Sequence, residues 1–424
     1  MGVSSTVLKF TTDAMSYVPG IGSHSLSVSV LSYFIAYEFF GEESKAVFAA
    51  TAGMLHDIGF LVPKVSRISY NLDVLYDLNV EDTRLRELHT VVGGYILSNF
   101  LGLYEFSDVA FYHHLPASEL DILNPSHVFS NIVAAADFLA IHFEASEMPI
   151  SKDTVKSKLM ENSEMFFPEI LRATISIVEK DYVWWSLEDP VDFYMRYASP
   201  REEGGERTDE DTLLELGYFM AYIVDAKSPF TRKHSERIAD ISRALGSELG
   251  LDGEKQLHLY IAGLFHDIGK IAIDNSILEK PGPLSQKEFW RMRKHVFYTR
   301  KLLEHFAREG YEWPEWASQH HERLDGSGYP LRLKECEIPL ESRILQIADV
   351  FVALTEDRPY RSPMSFNEAI SFLSKEVREG KMDPDVLRAL ERLVRNGYTF
   401  PEKTPIGEII ETVDFLIKSY GGIS

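Results

Sequence analysis

Ala262-Gly263-Leu264-Phe265-His266-Asp267-Ile268-Gly269 repeats, with two conservative changes, the stretch Ala52-Gly53-Met54-Leu55-His56-Asp57-Ile58-Gly59. The likeness extends outward from both. His24 precedes His56 by 32 positions, and His234 precedes His266 by the same 32. Downstream, His89, His113-His114 and Asp137 follow in one half, and His295, His320-His321 and Asp349 follow in the other. The step from the single His to the His-His pair is 24 residues in the first half and 25 in the second. Chance does not produce this order twice, and internal duplication sets architecture, so the chain reads as two copies of one domain. Leu213, Leu214, Leu216, Phe219, Met220 and Ile223 recur at helical spacing, while alternating strand-like runs are scarce. The expected fold class is therefore all-α, with two tandem helical bundles. A charged, glycine-containing stretch over 199–211, from Ser199 to Asp211, reads as a linker between a first domain at 1–198 and a second at 212–424, the latter ending in a helical tail.

Length and composition agree with this division. At 424 residues, 45% hydrophobic and 25% charged, the chain is globular in composition and long enough for two ordinary cores. A net charge of -22 argues against binding duplex nucleic acid, which relies on many cationic contacts to phosphate. A small anionic ligand remains compatible where metal ions and a few Lys or Arg side chains make one pocket positive. Cys336 is the single cysteine, which excludes an intramolecular disulfide and a thiolate-rich metal site. Any metal must be held by His and carboxylates. The apolar runs fall short of the roughly 20 residues of a membrane span, and the first residues lack a basic stretch leading into an apolar one. The expectation is a cytoplasmic protein with no membrane segment.

The ordered His and Asp residues carry the chemistry. A lone His-Asp pair is more often a cap or a surface pair, and a lone His-His pair has little meaning, because adjacent helical residues point in different directions. Five such elements in order, twice, are another matter. Imidazole with carboxylate suits Mn, Fe or Zn, and seven ligands exceed the four that one zinc ion takes, so the count favours two divalent metals sharing a carboxylate, with Asp267 the natural bridge. Two metals about 3.5–4 Å apart activate a water and clamp a phosphodiester for in-line displacement.

The second half is identified as resembling an HD-GYP domain, a branch of the HD phosphohydrolases. The motifs are His234-Ser235-Glu236-Arg237, His266-Asp267-Ile268-Gly269-Lys270, Lys280-Pro281-Gly282, His320-His321-Glu322-Arg323-Leu324-Asp325-Gly326-Ser327-Gly328-Tyr329-Pro330 and Arg358-Pro359-Tyr360-Arg361, spread over most of 211–390. The resemblance implies a helical bundle that opens cyclic di-GMP, or 3',3'-cyclic GMP-AMP, to the linear dinucleotide and in some members on to mononucleotide. It implies His234, His266, Asp267, His295, His320, His321 and Asp349 as metal ligands. Lys270 would stand beside the reacting phosphate, where a flexible ammonium suits developing negative charge. Arg358 and Arg361 would grip the second phosphate through forked hydrogen bonds. The loop containing Asp325, Gly328 and Tyr329 would border the substrate. Two departures stand out: Val352 replaces an Asp that many members have three residues after the ligand Asp, and Phe230 replaces the Glu of members with a third metal. Two metals rather than three are therefore expected.

The first half resembles a generic HD domain without the GYP part. His24, His56, Asp57, His89, His113, His114 and Asp137 supply a full set of seven candidate ligands, but Phe60 stands where Lys270 stands in the second copy, and nothing after His114 resembles the loop from Asp325 to Pro330. A metal site and a set of core histidines are both open readings of this set. The expected role is regulatory or dimerising, which leaves a homodimer as one arrangement, without hydrolysis of its own. An HD phosphohydrolase for another phosphoester and a non-catalytic cyclic dinucleotide sensor are the alternatives for the whole chain.

Overall fold

The structure, a computed structural model, describes residues 5–62, 65, 83–99, 103–144, 151–199, 207–227, 233–280, 282–356, 362–401 and 405–421. The fold is all-α: the described residues form no strand, and an isolated bridge joins Asp325 to Lys334. The backbone divides into two compact units, Met1–Glu206 with Val413–Ser424, and Arg207–Thr412.

In the second unit, helices Glu210–Ala226, His234–Glu248, Gly253–Phe265, Gln286–Arg308 and Leu340–Thr355 surround one core. Their starts are written locally. The Asp209 carboxylate accepts from the Thr212 N–H, the Asp252 carboxylate from the Lys255 N–H, and Ser285 and Glu288 cap each other reciprocally. Each helix then turns one stripe inward. Leu216, Phe219, Ile223, Ile238, Ile241, Leu245, Leu264, Phe265, Leu303 and Phe306 on these helices are all essentially without exposure. The short helix Trp313–Ser318 is anchored by Trp313, whose ring stacks against Phe265 with centroids 5.2 Å apart.

The glycines of the repeated motif explain why both halves keep it. A Cβ on Gly263 would lie 2.6 Å from the Ala239 Cα, so this glycine lets Gly253–Phe265 press onto His234–Glu248. A Cβ on Gly269 would lie 1.9 Å from the His295 carbonyl oxygen and 2.5 Å from the Thr299 nitrogen. The turn Ile268–Ala272 can therefore touch the backbone of Gln286–Arg308, and Thr299 locks it, accepting from the Gly269 N–H at 3.0 Å and donating to the His266 carbonyl at 3.1 Å. In the first unit a Cβ on Gly59 would lie 2.0 Å from the His89 carbonyl oxygen, the same contact in the other copy.

The first unit comprises helices Ser5–Ser16, Ile21–Phe40, Glu43–Leu55, Thr83–Asn99, Tyr104–Tyr112, Pro125–Glu144 and Pro168–Val178, with shorter turns between and after them. Residues Pro125–Phe143 are long and apolar enough to cross a membrane, beyond what the sequence runs suggested, because Asn131 and Asp137 interrupt the apolar run without interrupting the helix. Ile132, Val133, Ala135, Ala136 and Leu139 of this helix are buried in the unit's own core.

Candidate metal centre and cleft

Five elements of the second unit deliver the sequence-derived ligands to one place. His234 is the first residue of its helix, His266-Asp267 follow the end of Gly253–Phe265, and His295 projects from the middle of Gln286–Arg308. Asp349 comes from Leu340–Thr355, and His320-His321 lie in the turn after Trp313–Ser318. That last placement answers the objection that neighbouring helical residues diverge. Beyond the helix end the two rings straddle two carboxylates, His320 Nε2 lying 3.9 Å from Asp267 Oδ1 and His321 Nδ1 lying 3.9 Å from Asp349 Oδ2.

Asp267 is the hub. Its carboxylate lies 3.2 Å from His266 Nε2 and 3.4 Å from His295 Nε2, and the Lys270 ammonium pairs with it. Asp349 is the second hub, with its Oδ1 3.6 Å from His234 Nε2. The tautomers are set from behind: Nδ1 of His266, His295 and His320 each donates to a backbone carbonyl, of Gly263, Met292 and Ala317, at 2.7 Å. Each ring then turns an Nε2 lone pair inward, and these buried atoms take no well-formed hydrogen bond. Burial pushes His295 down to about 4 and His320 down to about 3, so both rings are neutral near pH 7. Burial alone would raise Asp267, but the Lys270 ammonium beside it holds it well below the usual carboxylate range.

Neutral lone pairs facing ionised carboxylates are electrostatically mismatched, and buried acceptors without a donor are costly. A cation relieves the mismatch. His234, His266 and Asp267 offer ligand atoms within 4.8 Å of one another, and so do His295, His320 and His321. The residues present thus fit divalent metal, and nitrogen with carboxylate oxygen suits Mn, Fe or Zn.

The centre opens into a cleft of about 370 Å³, lined by Lys227, Lys270, Lys280, Tyr329, His321 and Met292 among others. The three lysines share this concavity with Asp225, Asp267 and Asp349, and Lys270 and Lys280 are paired with Asp267 and Glu288. Tyr329 stands over the centre, its ring 4.8 Å from that of His321, with the Arg293 guanidinium 4.2 Å from the Tyr329 ring centroid. Asp325 and Gly328 are not among the cleft residues. Asp325 is exposed and accepts from the Ser327 N–H at 2.9 Å, and a Cβ on Gly328 would lie 2.4 Å from the Arg323 nitrogen. These two residues shape the loop that presents Tyr329. Arg358 and Arg361 lie outside the described residues, as does Phe230.

Several residues that the sequence reading passed over support the site. Glu356 accepts from His234 Nδ1 at 2.8 Å and pairs with Arg237 at 3.3 Å. Asp225 accepts from the Ser235 N–H and hydroxyl, both at 2.9 Å, and burial pushes its carboxyl up to about 7. Glu322, fully buried, accepts from the N–H groups of Leu331 and Leu333 and ties down the loop. Glu322 sits inside a quoted motif and was legible there. Glu356 has no spacing signal, because its partner His234 is 122 positions away, and Asp225 reaches Ser235 across the gap between two helices.

The sequence-derived set of the first unit also converges. Asp57 lies 3.3 Å from His56 Nε2, 3.3 Å from His89 Nε2 and 3.9 Å from His113 Nε2, and His24 Nε2 lies 3.0 Å from Asp137. His114 completes it, its ring centroid 4.1 Å from that of His113.

A helical fold with a His and Asp centre on the floor of a lysine-bearing cleft defines an HD-type phosphohydrolase. Residues 219–386 match the family described as HD domain. Over 384 residues the chain is 34% identical to the 3'3'-cGAMP-specific phosphodiesterase 1 of Vibrio cholerae, a match covering 87% of this chain and 86% of that protein. It is 36% identical over 186 residues to a cyclic di-GMP phosphodiesterase of Thermotoga maritima, covering 43% of this chain and 50% of that one. In three dimensions it is similar to the crystal structure of a cyclic GMP-AMP specific phosphodiesterase of V. cholerae, with a TM-score of 0.60 over 93% of this chain and 99% of that one, at 22% identity, a likeness of fold. The chain belongs to the HD-domain family of cyclic dinucleotide phosphodiesterases, in its HD-GYP branch.

Proposed function

We propose that this protein is a metal-dependent phosphodiesterase of bacterial second-messenger turnover, cutting cyclic di-GMP or 3',3'-cyclic GMP-AMP to the linear dinucleotide at the centre of its second unit. The observation that carries this reading is the convergence of five His side chains on Asp267 and Asp349 beneath a cleft lined by Lys270 and Tyr329. The relative that spans most of the chain bears the cyclic GMP-AMP name, which favours that substrate.

In this reading His234, His266, Asp267, His295, His320, His321 and Asp349 hold two divalent ions of Fe, Mn or Zn. When bound, the ions supply charge neutralisation for the phosphodiester and acidify a water near neutral pH. The remaining work falls to the chain. The Lys270 ammonium, within reach of Asp267, meets the negative charge that develops on phosphate oxygen. Tyr329 offers a face for a base or ribose to rest on. Arg358 and Arg361 hold the second phosphate, which only a cyclic dinucleotide has. The first domain, 1–198, serves regulation, followed by the 199–211 linker, and the enzyme works in the cytoplasm on a small soluble substrate.

The test is a panel of cyclic dinucleotides incubated with protein loaded separately with Mn, Fe or Zn, with products identified by mass. Linear dinucleotide from cyclic GMP-AMP or cyclic di-GMP is the expected product. Turnover of mononucleotide esters alone would make the protein an HD phosphohydrolase of another class, and tight binding without product would make it a sensor.

A further inference from the structure

The HD match covers residues 219–386 and leaves the first unit without an assigned site. Yet that unit repeats the geometry of the second centre nearly distance for distance. His56 and His113 have ring centroids 5.0 Å apart at 85°, against 4.9 Å and 86° for His266 and His320. His24 and His56 are 5.6 Å apart at 53°, against 5.7 Å and 55° for His234 and His266. His113 and His114 match His320 and His321 within 0.1 Å and 1°.

Two of the rings, His56 and His113, are also set from behind as His266 and His320 are. Nδ1 of His56 donates to the Gly53 carbonyl at 2.7 Å, and Nδ1 of His113 donates to the Ala110 carbonyl at 2.8 Å. Their Nε2 lone pairs therefore face Asp57, and these buried atoms take no well-formed hydrogen bond. His24 Nε2 lies 3.0 Å from Asp137 Oδ1, as a hydrogen-bonding N–H would, whereas His56 and His113 turn lone pairs, which cannot donate, toward Asp57. Two triplets, His24-His56-Asp57 and His89-His113-His114, each offer ligand atoms within 4.8 Å of one another.

One position departs. Where Lys270 pairs with Asp267, Phe60 lays its ring flat on His89, with centroids 4.3 Å apart and planes 12° apart. An apolar ring in place of the ammonium leaves a phosphate without its cationic partner at that edge. We propose that the first unit holds its own divalent transition-metal centre, ligated by His24, His56, Asp57, His89, His113, His114 and Asp137, and that this centre fastens the unit's helices without cutting phosphodiesters. The ligands come from helices Ile21–Phe40, Thr83–Asn99 and Pro125–Glu144 and from the residues just after Glu43–Leu55 and Tyr104–Tyr112, so one centre ties five elements together. The inference concerns a different set of residues from the phosphodiesterase reading and does not depend on it.

The test uses the full chain. Asp267→Ala with Asp349→Ala removes the carboxylates of the second centre, and metal per chain is measured by mass spectrometry after loading with Mn, Fe or Zn and desalting. Metal should remain in this chain, chelator should lower its melting temperature, and both effects should vanish on adding Asp57→Asn and Asp137→Asn. No retained metal, or retention unaltered by the two Asn changes, overturns the proposal. Should the Asn variants not fold, anomalous scattering at the metal edge from crystals of the unaltered protein decides instead: a peak among His56, Asp57 and His89 is expected, and no peak there overturns it. Turnover of bis(p-nitrophenyl) phosphate by the metal-loaded Asp267→Ala, Asp349→Ala chain would overturn the non-hydrolytic half.

Discussion

His234 donates from Nδ1 to Oε2 of Glu356 across 2.8 Å, joining the first residue of one helix to the residue just past the end of another, 122 positions away. The bond fixes the ring so that Nε2 faces Asp349, and Arg237 steadies the carboxylate from its other oxygen. Partners of this kind orient a ligand, and losing one typically costs about 10–100-fold in metal affinity. Glu356→Gln is expected to weaken metal binding by that order while leaving turnover at saturating metal largely intact. Competitive titration with a fluorescent chelator measures it; an unchanged affinity would reduce Glu356 to a structural cap.

Asp267→Ala should lower bound metal in the second unit and abolish hydrolysis, because His266, His295 and His320 all converge on that carboxylate. Full activity with depleted metal would contradict the shared-carboxylate assignment, as seen by pairing metal analysis with product chromatography.

Lys270→Met keeps the length of the side chain and removes the charge. Loss of one preorganised group facing developing charge costs about 2.7–4 kcal/mol, so kcat should fall by about 10²–10³ with metal content preserved. A rise in KM alone would place Lys270 in ground-state binding.

Gly269→Ala forces a Cβ to within 1.9 Å of the His295 carbonyl oxygen, so the turn or the helix must move. Overpacking of this type costs about 1–3 kcal/mol, and here it also displaces His295 from Asp267. Denaturant unfolding should show the loss. Gly253→Ala is the control, since nothing lies within 4 Å of its added Cβ.

Arg358→Ala with Arg361→Ala should raise KM for a cyclic dinucleotide far more than for bis(p-nitrophenyl) phosphate, which has no second phosphate to lose. Equal effects on both substrates would assign the arginines to the reacting phosphate or to the fold.

From the residues alone one could read the helical class, the repeated His and Asp order and the resemblance that names the chemistry, because spacing along a helix and glycine at close contacts leave marks in a linear chain. The Gly-Xaa-Xaa-His-Asp-Xaa-Gly pattern records two backbone contacts as well as two ligands. Three things had to await the tertiary structure. His320 and His321 reach different carboxylates because the helix ends at Ser318, a boundary that adjacency in sequence does not announce. Glu356 supports His234 from 122 positions away and Asp225 supports Ser235 from the preceding helix, pairings that no local periodicity connects. And which nitrogen His56 and His113 turn toward Asp57 leaves no mark in the linear chain. The backbone carbonyls of Gly53 and Ala110 decide that by taking Nδ1, a choice made only once the chain has folded around them.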